Sequence, residues 1–247
     1  MPTRGRLLTI PELFLGLLSI AAAVVVTAKI VSATIHDARH IHDTISVTGS
    51  ARKPISSDLV RWSLTVSHQS TAASTAAQHL RGEVAAVRAF LEHEGIPAAA
   101  ISPSVVASSE LVVVLPHHLR RVTYRVSQGL DVSTRKLDVV ERAATSVGQL
   151  IARGIDVAAE QPAYISTELT QAKLDALAAA TADARQRAEI LVKGLGGKLG
   201  PMRKTELGVY QITPRDSTQV SDYGINDTSS REKDVNAVVS ATFAVRQ

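Results

Sequence analysis

The chain of 247 residues carries 27 Lys and Arg against 23 Asp and Glu, with 45% hydrophobic residues, 3% aromatics and no cysteine. The missing cysteine excludes a disulfide scaffold, a thiolate metal site and a cysteine nucleophile, and the hydrophobic content excludes a disordered chain. The net charge of +4 divides evenly between the first 35 residues and the remainder, and so small a balance is no nucleic-acid footprint.

Leu13 to Ile35 is the first element. It is apolar throughout except for Lys29. As a helix it spans ~35 Å, enough to cross a hydrocarbon core of roughly 30 Å. Leu13, Phe14, Leu17, Ile20, Val24, Val25, Val26, Ile30 and Val31 are its anchoring side chains. Lys29 lies close enough to the far end to snorkel. Arg4 and Arg6 precede the segment, and the positive-inside bias then places the N-terminus in the cytoplasm. A cleaved signal peptide is the alternative, with residues 1–12 as n-region and Leu13 to Ala28 as h-region. Its cleavage site is poorly marked, Val31-Ser32-Ala33 being the best candidate, and the length favours an anchor. Either way, the bulk of the chain is exported.

Residues 36–43 read as a linker. Residues 44–50 and 58–67 alternate apolar and polar and predict two strands. Leu80, Val84, Val87 and Leu91 then form one helical stripe within residues 70–94, closed by Gly95 and Pro97. Residues 101–115 are extended, Pro116-His117-His118 breaks them, and residues 121–132 supply a partner strand. Ser133 is placed to cap a second helix with Leu137, Val140, Ala144, Val147 and Ile151 inward and Gly154 at its end.

A strand follows within residues 155–167, with Tyr164 and Ile165 as its core candidates. The longest helix, residues 170–195, shows a stripe of Leu174, Leu177, Thr181, Ala184, Ala188, Leu191 and Leu195, thin enough in the middle to approach a sheet closely. Residues 202–213 and 234–246 are the last strands. The expected architecture is α+β: an N-terminal transmembrane helix (residues 1–35 with a cytoplasmic stub), then a β-β-α-β-β-α-β-α-β-β domain over residues 44–247 with helices on a mostly antiparallel sheet.

Four stretches resemble a known family. Ile45-Ser-Val-Thr-Gly-Ser50 followed by Ser57-Asp58 looks like an opening strand, glycine turn and acidic second-strand start. Val87 to Ile96 looks like the end of a first helix. Asp175 to Ala188 looks like an alanine-rich signature helix, and Gly196-Gly-Lys-Leu-Gly200 like the turn after it. In this order, together with the closing strand from Asn236 to Val245, they resemble the SIMPL-domain family of bacterial envelope proteins. The chain departs from that pattern at Ser57, where many members have proline, and in the retained apolar N-terminus. The resemblance implies an envelope location and a part in stress tolerance. A related periplasmic immunogenic protein assembles into stacked rings. No catalytic residue follows from the likeness.

Chemistry-bearing patterns are sparse. His36, His40 and His42 with Asp37 and Asp43 are the best metal-like cluster, but a solvated linker is the better reading, since spacing without a rigid frame specifies little. Gly194 to Gly200 is no phosphate cradle, because its glycines follow a helix instead of preceding one. No nucleophile elbow and no His-Glu-x-x-His motif occurs. No catalytic residue, cofactor or metal is therefore expected. Residues 214–234 read as a long polar loop, either a mobile hairpin tip or a docking surface. Tyr210, Ile212, Tyr223 and Ile225 are its partner-contact candidates.

The expected function is a non-enzymatic protein of the bacterial inner membrane. It would be single-pass with its C-terminal domain in the periplasm, and would assemble with itself into a ring or cage. Its partners would be further copies, the bilayer and an unidentified envelope component, with no nucleic acid. The alternative is a periplasmic binding or chaperone-like module holding a peptide, lipid or small molecule, with a cleaved signal peptide. A hydrolase or metalloenzyme is the weakest option.

Overall fold

The computed structural model describes residues 18, 21, 23–29, 43–114, 116 and 120–246. They form an α+β protein that divides into two compact units. One comprises Ser50–Ala180 with Gly208–Val238. The other comprises Met1–Gly49, Thr181–Leu207 and Val239–Gln247. Among the described residues there are two sheets instead of one, mostly antiparallel, with one short parallel pair.

The larger unit is organised on β2 (Leu59–Ser70) and β5 (Arg120–Thr134). They pair without a break from Val60↔Thr134 to Ser70↔Tyr124. Period-two alternation sends Val60, Trp62, Leu64 and Val66 of β2, and Val126, Leu130 and Val132 of β5, to one buried face. Helix α1 (Ala73–His93) covers that face with Leu80, Val87, Phe90 and Leu91. Gly95 ends it at φ +100, and Ile96 N–H returns to Leu91 O at 3.0 Å, a left-handed cap that glycine alone adopts cheaply.

The extended stretch after α1 separates into β3 (Ile101–Pro103) and β4 (Ala107–Val114), both on β5. Ser133 does not cap the next helix. It is paired with Arg61 inside the sheet, and β5 continues to Thr134, whose hydroxyl accepts from Lys136 N–H at 3.2 Å. Helix α2 (Leu137–Ser146) therefore starts later, and α3 (Gly148–Ala152) follows a break at Val147. That break moves the apolar phase: Leu137, Val140, Ala143 and Leu150 are buried, whereas Ile151 is exposed. Two short strands, β6 (Asp156–Ala159) and β7 (Ala163–Ile165), share the other side of β2.

Helix α4 (Leu169–Gly194) corrects the expected stripe. The buried positions are Ala172, Ala176, Ala180, Ala184, Ala188 and Val192, one every fourth residue, while Leu174, Leu191 and Leu195 are exposed. Small side chains face inward because they permit close approach, and the leucines are displaced outward.

Strands β8 (Lys198–Leu207), β9 (Gln211–Pro214), β10 (Ile225–Asn226) and β11 (Glu232–Arg246) complete the chain with β1 (Thr44–Ser56). The second sheet has the order β1-β11-β9-β10, with β8 also on β11. In the smaller unit, β11 pairs with β8 from Val239↔Leu207 to Arg246↔Lys198 with two irregularities. Val47, Ala184, Ala188, Ala241 and Phe243 form that unit's core. Gly200 lies so close to β11 that a Cβ there would meet Ala244 O at 2.9 Å.

Val24, Val25 and Val26 lie in a helical stretch and are exposed. The other expected anchor residues, Leu13, Phe14, Leu17, Ile20, Ile30 and Val31, lie outside the described residues. No helix among the described residues is long and apolar enough to cross a membrane.

Candidate functional site

The segment after β9 is more ordered than its polar composition suggests. Gln211 fastens it through its amide: Nε2–H donates to Ser221 O at 2.7 Å, and Ser221 N–H donates to Oε1 at 3.3 Å. Strand β10 then runs parallel to β9, with Ile225 opposite Gln211. Asp227 N–H reaches Ile212 O at 2.9 Å, and Tyr164 N–H donates to Thr228 O at 2.7 Å. Each bond removes a backbone or amide group from water while supplying its partner, which is how a loop of this length is held.

Lys233, at the start of β11, closes the arrangement. Its side chain is only 3% exposed, and Nζ donates to Tyr164 O at 2.8 Å and to Asp227 O at 2.5 Å, with Asp227 Oδ2 at 3.8 Å. Burial pushes its pKa below the usual lysine value, while Asp227 pulls the other way. For Asp227 burial opposes ionisation. The hydrogen bonds from Ser229 and Ser230 and the charge of Lys233 outweigh it and hold the carboxyl below its usual value. An apolar cavity of about 200 Å³ lies beside this staple, walled by Ile55, Ile165, Leu169 and Ile212, with Thr228 and Lys233 as its polar edge.

The four partner-contact candidates therefore separate. Ile212 is 4% exposed and faces the cavity. Ile225 is half-buried in β10. Tyr210 donates its hydroxyl to Lys173 O at 3.2 Å, with the Lys173 ammonium 5.7 Å from its ring centre. Tyr223 alone projects into solvent, at 97% exposure. Composition offered no signal for Lys233, because a lysine beside a polar loop reads as solvated.

Asp58 pins the entrance to α4. Thr167 N–H donates to Oδ1 at 2.7 Å, Thr167 Oγ1–H to Oδ2 at 2.6 Å, and Arg135 lies 3.1 Å away. The Thr167 hydroxyl and then its amide hold the Asp58 carboxyl below its ordinary value of 3.8, with Arg135 adding to them against desolvation. A carboxylate whose folded pKa is depressed stabilises the fold above the unfolded value and loses that contribution as pH falls through the folded one. Asp58→Asn is thus expected to cost ~1–2 kcal/mol at neutral pH. Urea titrations should show the gap from the parent narrowing in acid. A gap that does not change with pH would contradict the assignment.

A second feature is the β4–β5 ribbon. Strand β4 pairs with β5 alone among the described strands, from Ala107↔Ser127 to Val114↔Arg120, and Val112, Val113 and Val114 are all exposed. β2 ends opposite Tyr124, so the last four pairs of the ribbon run on without it. An open edge rich in valine, with Glu110 its only charge, is a ready template for pairing with another chain.

His68, His79 and Glu83 form the remaining polar cluster. His68 Nδ1 lies 2.8 Å from Glu83 Oε1, and its ring stacks on His79 at 4.8 Å. Among the described residues no group of three or more His, Asp or Glu is arranged to hold a metal ion. His36, His40, His42, His117 and His118 lie outside those residues.

The described residues form an α+β protein with two sheets, an apolar cavity in the larger unit and an exposed edge on β4. Residues 45–243 match the SIMPL family, described as a protein of unknown function (DUF541), and the chain belongs to it. No curated protein matches the chain.

Proposed function

We propose that this protein is a tethered envelope component that acts by assembling with itself and not by catalysis. The apolar run from Leu13 to Ile35 would hold it in the bacterial inner membrane, single-pass, with residues 44–247 on the periplasmic side. The observation that carries self-assembly is the exposed edge of β4, with three consecutive valines open to solvent. Identical copies carry identical edges: an edge paired with itself gives a two-fold dimer, and an edge paired with a different surface of the next copy builds a closed ring. The family resemblance supports the envelope setting and a part in stress tolerance.

Light scattering on the full-length chain in detergent is expected to give a multiple of 26.2 kDa after subtraction of detergent. Val112→Lys/Val114→Lys is expected to reduce that mass to one chain, because lysine on an open edge opposes pairing. A monomeric parent, or a variant of undiminished mass, would exclude assembly through β4. The cavity beside Lys233 supports a second reading, capture of a small apolar molecule. A stoichiometric adduct in native mass spectrometry would select it.

A further inference from the structure

Within the smaller unit, the described domain begins beside the end of α4. Val245 N–H donates to Asp43 O at 2.8 Å. Arg246 pairs with Lys198, and Val245 with Leu199. Gly197 sits against Arg246, where an added Cβ would meet the Arg246 carbonyl at 3.1 Å, and its N–H returns to Val192 O at 2.9 Å. The start of β1, the end of β11, the start of β8 and the last turn of α4 are thus gathered at one place.

That place carries apolar and cationic side chains, with Asp43 as an acid beside them. Ile190 and Leu191 are exposed, and Leu195 is 86% exposed. Leu191 and Leu195 are four residues apart and share one side of the helix end. Lys193, on the opposite side of that last turn, and Lys198 and Arg246, at the adjoining strand ends, are exposed at the same end of the unit. The nearest acid along the helix, Glu189, is already paired with Arg185 at 2.9 Å. Exposed apolar side chains with Lys and Arg at the same end of a unit fit the boundary between acyl chains and anionic headgroups. Only eight residue steps separate Ile35 from Asp43, a reach of at most ~29 Å. An anchor ending at Ile35 therefore keeps this end of the unit near the bilayer.

We propose that Leu191 and Leu195, with Lys193, Lys198 and Arg246 exposed at the same end, seat the smaller unit on an anionic bilayer surface. This rests on the tethered reading above, to which it adds a second point of membrane contact.

The chain has no cysteine, so a single introduced thiol takes a label uniquely. Full-length Leu195→Cys carrying a bimane fluorophore would be reconstituted into vesicles of phosphatidylcholine and phosphatidylglycerol containing nitroxide-labelled lipid. Val26→Cys, labelled in the same way, reports on the anchor itself. The Leu195 label is expected to lose about half its emission to nitroxide lipid, as an interfacial side chain should, and the Val26 label at least as much. Lys193→Glu/Lys198→Glu is expected to abolish most of the loss at position 195 while leaving position 26 unchanged. Loss at 26 but none at 195, with 195 open to aqueous iodide, overturns the seat and leaves the tether. Shielding at 195 from both quenchers that disappears on dilution assigns the surface to a second copy and also overturns it. Quenching at neither position removes the tether and the seat together. An undiminished loss at 195 in the lysine variant overturns the role of charge.

Discussion

Lys233→Met is expected to destabilise the larger unit by ~3–5 kcal/mol, among the largest effects of any single substitution here. The ammonium is 3% exposed and is the shared donor for two backbone carbonyls and the neighbour of a carboxylate. Methionine fills a similar volume, so the loss is of pairing and not of packing. It leaves Asp227, 8% exposed, with only its bonds from Ser229 and Ser230. Adding Asp227→Asn is expected to recover part of the loss, since no buried charge then remains unbalanced. Protonation gives an independent check. The folded pKa of Lys233 lies below its unfolded value of 10.5, so between the two the unfolded chain binds the extra proton. Stability attributable to Lys233 therefore rises with pH through that window, and the methionine variant lacks the rise. Urea unfolding followed by far-ultraviolet circular dichroism measures both. A loss below ~1 kcal/mol would show that the lysine is dispensable to the fold.

Ala184→Leu/Ala188→Leu is expected to cost the smaller unit about 3 kcal/mol or more. Both alanines are fully buried against a core that includes Val47, Ala241 and Phe243. Adding branched side chains there forces the helix away from its strands or its neighbours off their rotamers. Leu174→Ala and Leu191→Ala, at exposed positions of the same helix, are expected to change stability by within about 0.5 kcal/mol. The order of these effects inverts what a leucine stripe implies. Thermal melts of the three variants compare them directly, and equal tolerance of the alanine and leucine replacements would reject an alanine contact face.

The misreading of α4 has a plain cause. Leu174, Leu177, Thr181, Ala184, Ala188, Leu191 and Leu195 keep a seven-residue apolar rhythm, and side-chain size makes that rhythm conspicuous. The face that is buried repeats every four residues and is made almost wholly of alanine, which hydrophobicity barely marks. The β2–β5 pairing and α1 were legible because Trp62, Leu64, Val66 and Leu80, Val87, Leu91 are large and strictly periodic. Ser133 looked like a helix cap because serine favours that position, but an eleven-pair strand register overrode the local preference. The candidate site was least legible. Residues 214–234 look solvated one by one, and their order comes from long-range bonds such as Tyr164 to Thr228 and Lys233 to Tyr164, which composition does not encode. The departure at Ser57 and the resemblance at Asp58 now have a physical content. Ser57 is buried with its N–H on Arg231 O at 2.8 Å, and Asp58 holds Thr167.

Trp62 is the only tryptophan, and it is 1% exposed with its indole N–H on Glu160 O at 2.8 Å. It belongs to the larger unit, as do Tyr124, Tyr164, Tyr210 and Tyr223, whereas the described part of the smaller unit has Phe243 as its aromatic residue. Intrinsic emission therefore follows the melting of one unit and is blind to the other. Comparing an emission midpoint with a calorimetric trace separates one cooperative transition from two, without any engineered probe.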